Sequence, residues 1–357
     1  MLQPKMLRRS GRQLSIRVLE GQLRYHVSQA IVSFGLAINL PLIVAIGWVL
    51  ALQQSPQILR ERSSPRRTLI VLKKSGGFED VENAFRERPA QYRVRFLPRP
   101  ILYRSATHFL RRQVSDTCYN TDSPAVEDSK QRYRAHLENV VLWCERLLGR
   151  ISFLQFNITY FGERELAVAC ERRDIPFGAL HKEALWSEGI IEPSVEFFRE
   201  QIGAYRGSHL AVYNATMRNI FSAAGVASPE RVTVTGCART DDSHRKRSDI
   251  KPPQPITVVY YLIDPTAGLP RRLAADGRHW KPGVETVDGD SLTWSLLIET
   301  TNRAIADLAS KNPEWHIICK SKTGFEETQK GALLKTLASF ENPSNIEVIT
   351  GGSATPF

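Results

Sequence analysis

Short apolar runs rich in β-forming residues alternate with helix-forming segments along most of this chain. Such alternation is typical of a parallel sheet that is covered by helices on both faces. An almost continuous β-forming run, Ile256–Ile263, is typical of a central parallel strand and begins a second series. The sequence therefore predicts an α/β protein with two units. The predicted strands are Thr68–Leu72, Arg93–Leu97, Ile151–Phe156, Phe177–Leu180, His209–Tyr213 and Arg231–Thr235 in the first unit, and Ile256–Ile263, Trp315–Cys319 and Ile346–Thr350 in the second.

Helical periodicity fills most of the intervals between these strands. The polar stretch Asp116–Ser129 is an exception, and we expect a loop there. In the second unit, three strands and two helices make only the first half of a doubly wound domain, so we expect this unit to be incomplete. The predicted helices are Phe78–Arg88, Lys130–Leu148, Glu163–Arg173, Val195–Tyr205, Thr216–Ala224, Leu292–Ser310 and Glu326–Ser339.

Composition divides the chain into six segments. Residues 1–29 and 53–67 are basic, and residues 30–52 between them are hydrophobic. The two α/β units occupy residues 68–240 and 256–357. They are joined by residues 241–255, which are polar, charged and proline-rich and therefore predict a linker.

The net charge of +11 comes in large part from the two basic segments. Such clusters bind anionic lipid or nucleic acid. The chain has no zinc-finger spacing, RNP-type motif or helix-turn-helix signature, so we do not expect nucleic acid as a partner. The five cysteines are scattered without a CxxC pair. This pattern favours reduced thiols and argues against a disulfide scaffold or a structural zinc site.

The hydrophobic segment predicts contact with a membrane. Val27–Leu59 contains no Asp, Glu, Lys or Arg, and its apolar centre, Ala30–Leu52, reaches the length of about 20 residues that a membrane-spanning helix needs. A single span is the preferred interpretation, with the α/β units in the cytoplasm. Asn39 and Pro41 would also suit the tip of a re-entrant hairpin. The remaining alternative is a buried core helix.

Three strand-ending loops carry the candidate site residues. In open α/β sheets, ligands bind beyond the carboxyl ends of the strands. The predicted loops there carry His, Lys, Glu, Arg and Asp, which suits an anionic ligand. The residues are His181, Lys182 and Glu183 after one strand, Arg239 and Asp241 after another, and Lys320 and Lys322 after a strand of the second unit.

Each of these residue types has a chemical role that its position permits. His181 or Glu183 can act as a general base, because both side-chain types can be tuned toward a neutral pKa in a cleft. Lys320 and Lys322 can hold phosphate as point charges. Structural roles stay open as well: a strand end for His181 and a surface ion pair of Glu183 with Lys182.

Two further residues belong to the same set of candidates. Gly76 and Gly77 follow the first strand, where they allow the backbone to approach a ligand closely. Arg239 and Asp241 can orient a ligand or contacts between the two units, or they can serve only as a helix start and linker. We predict no metal site.

The order of the segments resembles the GT-B class of glycosyltransferases. The resemblance rests on HLAVYNATMRNIFSAAGV followed by RVTVTGCARTD, on FGALHKE, and on ICKSK, and it covers about residues 68–357. The closest likeness is to the transferases of bacterial surface-carbohydrate biosynthesis, including capsule and cell-wall polymers. CDP-glycerol glycerophosphotransferases and UDP-N-acetylglucosamine 2-epimerases are more distant relatives.

This resemblance implies two Rossmann-like domains, an acceptor domain followed by a nucleotide-donor domain. It implies an enzyme that uses a nucleotide-activated sugar or polyol as donor and a carbohydrate as acceptor, with no cofactor and no obligatory metal. The families continue past the third strand of the second domain, so the chain departs from their pattern at its end. The alternatives are an enzyme similar to the UDP-sugar 2-epimerases, and a truncated, non-catalytic remnant or binding module.

Overall fold

The computed structural model divides the chain into two compact units, Met1–Arg247 and Ser248–Phe357. This boundary lies within the predicted linker 241–255. The residues that the structure describes are 4–54, 67–73, 78–85, 92–110, 114, 116, 119–120, 123–181, 191–241, 255–262, 271–273, 280–282, 285–287, 290–292, 294–321, 326–340 and 343–350.

A seven-stranded sheet forms the centre of the first unit. Its strands are β1 (Gln53–Gln54), β2 (Arg67–Lys73), β3 (Tyr92–Pro98), β4 (Ile151–Gln155), β5 (Phe177–His181), β6 (His209–Val212) and β7 (Val232–Val234). Their order is β1-β3-β2-β4-β5-β6-β7, and all neighbours are parallel except β1 and β3. The six predicted strands of this unit, and the mixed α/β fold with a parallel sheet, are confirmed.

Both faces of this sheet are covered. Side chains alternate between the two faces of a strand. Along β2, Ile70 and Leu72 belong to the main hydrophobic cluster, whereas Leu69 and Val71 belong to a smaller one on the other face. All four side chains are buried, as is typical of a parallel sheet between two helical layers.

Helices flank the sheet of the first unit. They are α1 (Pro4–Ala37), α2 (Pro41–Ala51), α3 (Phe78–Phe85), α4 (Arg99–Leu110), α5 (Pro124–Leu148), α6 (Phe161–Glu171), α7 (Ile191–Phe197) and α8 (Ala215–Ala223). A π-helical turn, Phe198–Ile202, continues α7. The prediction of a loop over Asp116–Ser129 was wrong for its second half, because α5 begins at Pro124. Proline suits the first helical turn, and the buried Val126 fixes this turn to the core.

The structure does not support the predicted single membrane span over Ala30–Leu52. The segment contains the end of α1 and all of α2, joined at Asn39, whose φ of 51° is left-handed. Among the residues that the structure describes, no helix is both long and apolar enough to cross a bilayer. We call the two antiparallel helical arms, residues 21–37 and α2, the N-terminal hairpin.

The inner face of the N-terminal hairpin belongs to the core of the first unit. Val32, Val44 and Trp48 are almost fully buried in the main hydrophobic cluster, and α2 packs against α5. Arg24 ties the arms together: its Nε donates to the carbonyl of Leu50 at 2.6 Å and its Nη2 to that of Leu52 at 2.7 Å. These carbonyls have no partner within the helix because they lie at its end.

The second unit contains a three-stranded parallel sheet. Its strands are β8 (Thr257–Tyr261), β13 (His316–Lys320) and β14 (Ile346–Ile349), in the order β14-β13-β8. The helices α9 (Trp294–Lys311) and α10 (Glu326–Leu337) connect them. Four short strands precede α9 as two antiparallel pairs: β9 (Arg271–Leu273) with β10 (Trp280–Pro282), and β11 (Glu285–Val287) with β12 (Asp290–Leu292). The prediction that α9 begins at Leu292 was therefore two residues early.

Candidate functional site

The topology of the first unit places a ligand crevice beside β2. The chain passes from β2 to β3 on one side and then to β4 on the other, so the strand order reverses at β2. Ligands of doubly wound sheets bind outside the carboxyl ends of the strands at such a switch point. The described segments that follow these strand ends are the start of α4 after β3 and residues 156–160 after β4.

Arg99 is the central charged residue at this edge. It is the first residue of α4 and follows β3 directly, because Pro98 ends the strand. Its guanidinium carbon lies 3.9 Å from the ring centroid of Tyr160 and 4.3 Å from that of Tyr103. Its Nε lies 3.7 Å from Oε1 of Glu163, and its Nη2 lies 3.8 Å from Oδ2 of Asp116. We call these five residues the Arg99 cluster.

The Arg99 cluster offers donors and acceptors in one place. Arg99 also donates a hydrogen bond to the hydroxyl of Tyr103. Burial, and next to it the charge of Glu163, raises the pKa of Tyr103 well above its usual range, so the phenol keeps its proton. The Arg99 guanidinium and the Asp116 carboxylate, which is 39% exposed, can donate to and accept from the hydroxyl groups of a polar ligand, whereas the Glu163 carboxylate is buried. The Arg99 side chain is 26% exposed and can reach such a ligand.

Local hydrogen bonds hold the loop that carries Tyr160. Oδ1 of the buried Asn157 accepts from the backbone N–H of Thr159 at 3.0 Å and from its hydroxyl at 3.1 Å. Oδ1 of Asp116 accepts from the backbone N–H of Phe161 at 2.9 Å, at the start of α6. The loop is therefore fixed at both ends, and the position of Tyr160 against Arg99 is set by the backbone.

A second polar network lies next to the carboxyl end of β4. Tyr119 donates a hydrogen bond to Oε1 of Glu165, and Nε of Arg134 donates to Oε2 at 2.6 Å. The guanidinium of Arg164 lies 4.0 Å from the ring centroid of Tyr119. A cavity of about 100 Å³ is enclosed by these side chains and by the last residue of β4; its polar lining is Tyr119, Gln155, Arg164, Glu165, Tyr205 and Arg206.

The helix after the predicted glycine loop contacts the RVTVTGCARTD segment. The hydroxyl of Tyr213, which follows β6, donates to Oδ2 of Asp80 in α3 at 3.2 Å. Nδ2 of Asn83, also in α3, donates to the carbonyl of Ala238 at 2.9 Å. The helix α3 therefore contacts both the HLAVYNATMRNIFSAAGV segment and the RVTVTGCARTD segment. The side chain of Asp241 is exposed beside this contact.

His181 is the last residue of β5, but its side chain is packed against aromatic rings. It is 1% exposed, and its ring centroid lies 4.9 Å from that of Phe221 and 6.1 Å from that of Phe198. The imidazole thus lies among core side chains rather than at an open surface. The predicted site residues Gly76, Gly77, Lys182 and Glu183, and the side chain of Arg239, lie outside the described residues.

Lys320 ends the middle strand of the second unit. Its side chain is buried, at 3% exposure, and Nζ donates to the carbonyl of Ser321 at 3.2 Å. Nearby, Nε2 of Gln329 in α10 donates to the carbonyl of Leu262, just after β8, at 3.2 Å. Lys322 lies outside the described residues. The described part of the chain contains no group of three or more His, Cys, Asp or Glu side chains suited to a metal.

The Arg99 cluster was missed in the sequence because residues 98–129 gave no clear pattern there. A signal was present: RPILYRSATHFL follows a predicted strand, and Ile101, Leu102 and Ser105 form a helical apolar face. Recognising α4 would have placed Arg99 at the strand end. The partners Asp116, Tyr160 and Glu163 come from separate segments, so only the tertiary structure identifies them.

No protein-family model matches the chain, and no curated protein matches it. The solved structures that resemble it include a UDP-GlcNAc 2-epimerase from Neisseria meningitidis bound to UDP-GlcNAc (TM-score 0.42, 11% identity, 81% of this chain and 73% of that chain). A glycosyltransferase from Rickettsia africae gives a TM-score of 0.41 at 9% identity, over 82% of this chain and 69% of the other. An α,α-trehalose-phosphate synthase (UDP-forming) from Burkholderia vietnamiensis gives 0.38 at 9% identity, over 82% and 75%.

Proposed function

We propose that this chain is a transferase that moves a sugar or polyol phosphate from a nucleotide-activated donor onto a carbohydrate acceptor. The observation that carries the proposal is the Arg99 cluster at the switch point of the first sheet. The Arg99 guanidinium and the Asp116 carboxylate are suited to the hydroxyl groups of a carbohydrate, which both donate and accept hydrogen bonds. We therefore assign the acceptor to the first unit.

We assign the nucleotide donor to the second unit. Lys320 lies at the carboxyl end of β13, and Lys322 follows two residues later. An ammonium that is held out of water attracts a phosphate more strongly than an exposed one. The burial of Lys320 supports this assignment.

The base that deprotonates the acceptor is, in this proposal, either His181 or Glu183. Replacing each residue separately by Gln shows which of the two is the base. The variant that removes the base should retain donor binding and lose transfer, because proton removal contributes only to the chemical step. His181→Gln also places an amide among aromatic rings, so its folding must be checked by circular dichroism.

The wider role that we propose is the synthesis of a surface polysaccharide, with the α/β units on the cytoplasmic side of the membrane. The basic segments 1–29 and 53–67 support this placement, since basic residues near a membrane favour its cytoplasmic face. The sequence resemblance to the transferases of surface-carbohydrate biosynthesis supports the class of acceptor.

Donor binding and acceptor-dependent turnover test the proposal. The full chain is titrated with UDP- and CDP-linked sugars and polyols by calorimetry, and nucleotide release is followed with and without carbohydrate acceptors. We expect Arg99→Ala to lower kcat/KM for the acceptor by about tenfold or more, the effect of losing one charged hydrogen bond. Donor affinity should stay within about twofold, because the donor is assigned to the second unit.

A matched control is Arg172→Ala. Arg172 is 53% exposed on α6 and pairs with Glu138 at 2.8 Å. The Arg172→Ala variant should leave turnover unchanged, because Arg172 does not belong to the Arg99 cluster. Absence of binding to every nucleotide-linked donor would falsify the proposal. Conversion of a UDP-sugar without any acceptor would instead identify an epimerase.

A further inference from the structure

The N-terminal hairpin exposes apolar side chains on its outer face. Along α1, Leu23 is 67% exposed and Phe34 is 58% exposed. At the tip, Leu40 is 47% exposed. The complete set, which we call the outer face, is Leu23, Val27, Phe34, Ile38, Leu40, Ile46 and Leu50.

These side chains form continuous stripes. At about 100° per residue, positions 23, 27 and 34 of α1 fall within a sector of about 40°, and Ile38 follows the end of this helix. Ile46 and Leu50 are four residues apart on α2 and therefore lie one above the other. Leu40 stands between the arms, next to the left-handed Asn39. The outer face therefore consists of an apolar stripe on each arm and of Leu40 at the tip.

The fold of the hairpin fixes which face points outward. Gly35 and Gly47 let the arms approach closely: a Cβ on Gly47 would lie 2.6 Å from Cγ2 of Val32. The inner face, with Val44 and Trp48, is buried against the core. Arg104 of α4 also holds α1, because its Nη1 donates to Oγ of Ser33 at 2.9 Å. The hairpin cannot turn its apolar outer face inward without unpacking the unit.

The charge near this surface identifies its partner. In the sequence, the residues that lead into the outer face are basic: Lys5, Arg8, Arg9, Arg12 and Arg17 precede Leu23. Glu20 is the only acidic residue among the first 60 residues. An apolar surface continued by basic positions is complementary to the acyl chains and the anionic headgroups of a lipid bilayer.

We propose that the N-terminal hairpin is an interfacial anchor that inserts its tip and outer face into one leaflet of an anionic membrane. The helix need not cross the bilayer. An in-plane or shallow hairpin buries its apolar face by about 5–10 Å at the boundary between headgroups and acyl chains. The basic positions of α1 then contact the headgroups. Anchoring by the hairpin does not require the proposed transferase activity.

Sedimentation of the full chain with lipid vesicles tests the anchor. The vesicles contain either phosphatidylcholine alone or equal parts of phosphatidylcholine and phosphatidylglycerol. We expect binding to the mixed vesicles and weaker binding to phosphatidylcholine alone. We also expect added salt to reduce binding to the mixed vesicles, because it screens the basic positions.

The outer-face variants are Phe34→Gln with Leu40→Gln, and separately Ile46→Gln with Leu50→Gln. Each pair should lower the affinity for mixed vesicles by about tenfold or more, since two apolar side chains would no longer enter the lipid. All four side chains are exposed, so the variants should unfold at the wild-type temperature. The control pair is Leu147→Gln with Leu334→Gln, which are similarly exposed but lie on α5 and α10. It should bind like the wild type.

Three outcomes overturn the anchor. The wild type fails to sediment with mixed vesicles, or the outer-face and control pairs bind equally well. In the third outcome, vesicle binding is absent and analytical ultracentrifugation shows that the wild type is a dimer which the outer-face variants dissociate. A second copy of the chain would then cover the outer face. Loss of the transferase activity alone, with vesicle binding intact, would reject the proposed function and leave the anchor in place.

Discussion

His136 is a titratable residue held in the core of the first unit. It lies on α5, is 5% exposed, and its ring centroid is 5.0 Å from that of Phe109. Neither ring nitrogen has a hydrogen-bond partner among the described residues. Burial, and after it the nearby His108, lowers the pKa of His136 from 6.5 to about 4. The folded protein therefore holds the neutral imidazole.

This pKa predicts how stability depends on pH. The pKa of His136 is lower in the folded state than in the unfolded state. Its contribution to the free energy of unfolding is therefore complete above pH 6.5 and is lost as the pH falls toward about 4. The loss amounts to roughly 3 kcal/mol. Urea unfolding at several pH values should show a smaller loss of stability on acidification in His136→Leu than in the wild type. His209→Gln, which removes an exposed imidazole, is the control; equal pH profiles for the wild type and His136→Leu would refute the prediction.

Glu165 should contribute more to stability than Glu138 of the same unit. Its carboxylate accepts from Tyr119 and from Arg134 in a nearly buried position. Glu165→Ala leaves Arg134 without its closest carboxylate, and we expect a loss of about 3 kcal/mol in the free energy of unfolding. Glu138→Ala breaks one ion pair with Arg172, whose side chain is 53% exposed, and should cost less than about 1 kcal/mol. Chemical denaturation of both variants measures the difference; similar losses would contradict it.

Among the elements, the N-terminal hairpin depends most clearly on glycine. A Cβ at Gly47 would lie 2.6 Å from Cγ2 of Val32 and 3.2 Å from the carbonyl oxygen of Ser28, so the arms must separate. We expect Gly47→Ala to lower the free energy of unfolding by about 1–3 kcal/mol. Gly21→Ala lies on α1 with no described atom within 4 Å of the new methyl group, and it should gain up to about 1 kcal/mol from helix propensity. Thermal unfolding compares the two, and a stabilised Gly47→Ala would show that the arms are not tightly packed.

The elements differed in how far the sequence could predict them. β2 and β4 were predictable because an uninterrupted run of apolar β-formers has few other ways to be buried. A single membrane span was the preferred interpretation of the hairpin because its exposed face is apolar as well as its buried face, so its sequence lacks the polar stripe of an ordinary surface helix. Gly35, Asn39 and Gly47 decide between a straight helix and a packed hairpin, and their effect depends on contacts between the two arms.

At the scale of the whole molecule, the proposed function divides two tasks between two units. Lys320→Ala combined with Lys322→Ala in the full chain should weaken donor binding by about tenfold or more, since two phosphate contacts are lost. The stability of the first unit should not change. Calorimetric titration with the nucleotide-linked donors, and thermal unfolding as a control, measure both effects. Unchanged donor affinity would remove these lysines from the site.

The candidate site was predictable as a location rather than as a set of residues. Strand ends are visible in a sequence, so Lys320 and His181 were placed correctly along their strands. The direction in which a side chain points cannot be predicted in the same way, because it depends on tertiary contacts. The ring of His181 contacts Phe198 and Phe221, which belong to later elements of the chain. The Arg99 cluster joins residues up to 64 positions apart, from Arg99 to Glu163, and its geometry follows from the topology of the sheet.

The two-residue strand β1 links the hairpin to the sheet. Gln53 and Gln54 follow α2 and pair with Phe96 and Arg95 of β3, which would otherwise end the sheet on that side. Unpaired strand edges recruit other chains and promote aggregation. A shortened protein that begins at residue 55 would bare this edge together with the core surface that Trp48 covers. We therefore expect removal of the hairpin to yield insoluble protein rather than a soluble catalytic fragment, so attempts to solubilise the protein should keep residues 21–54 and alter only the outer face.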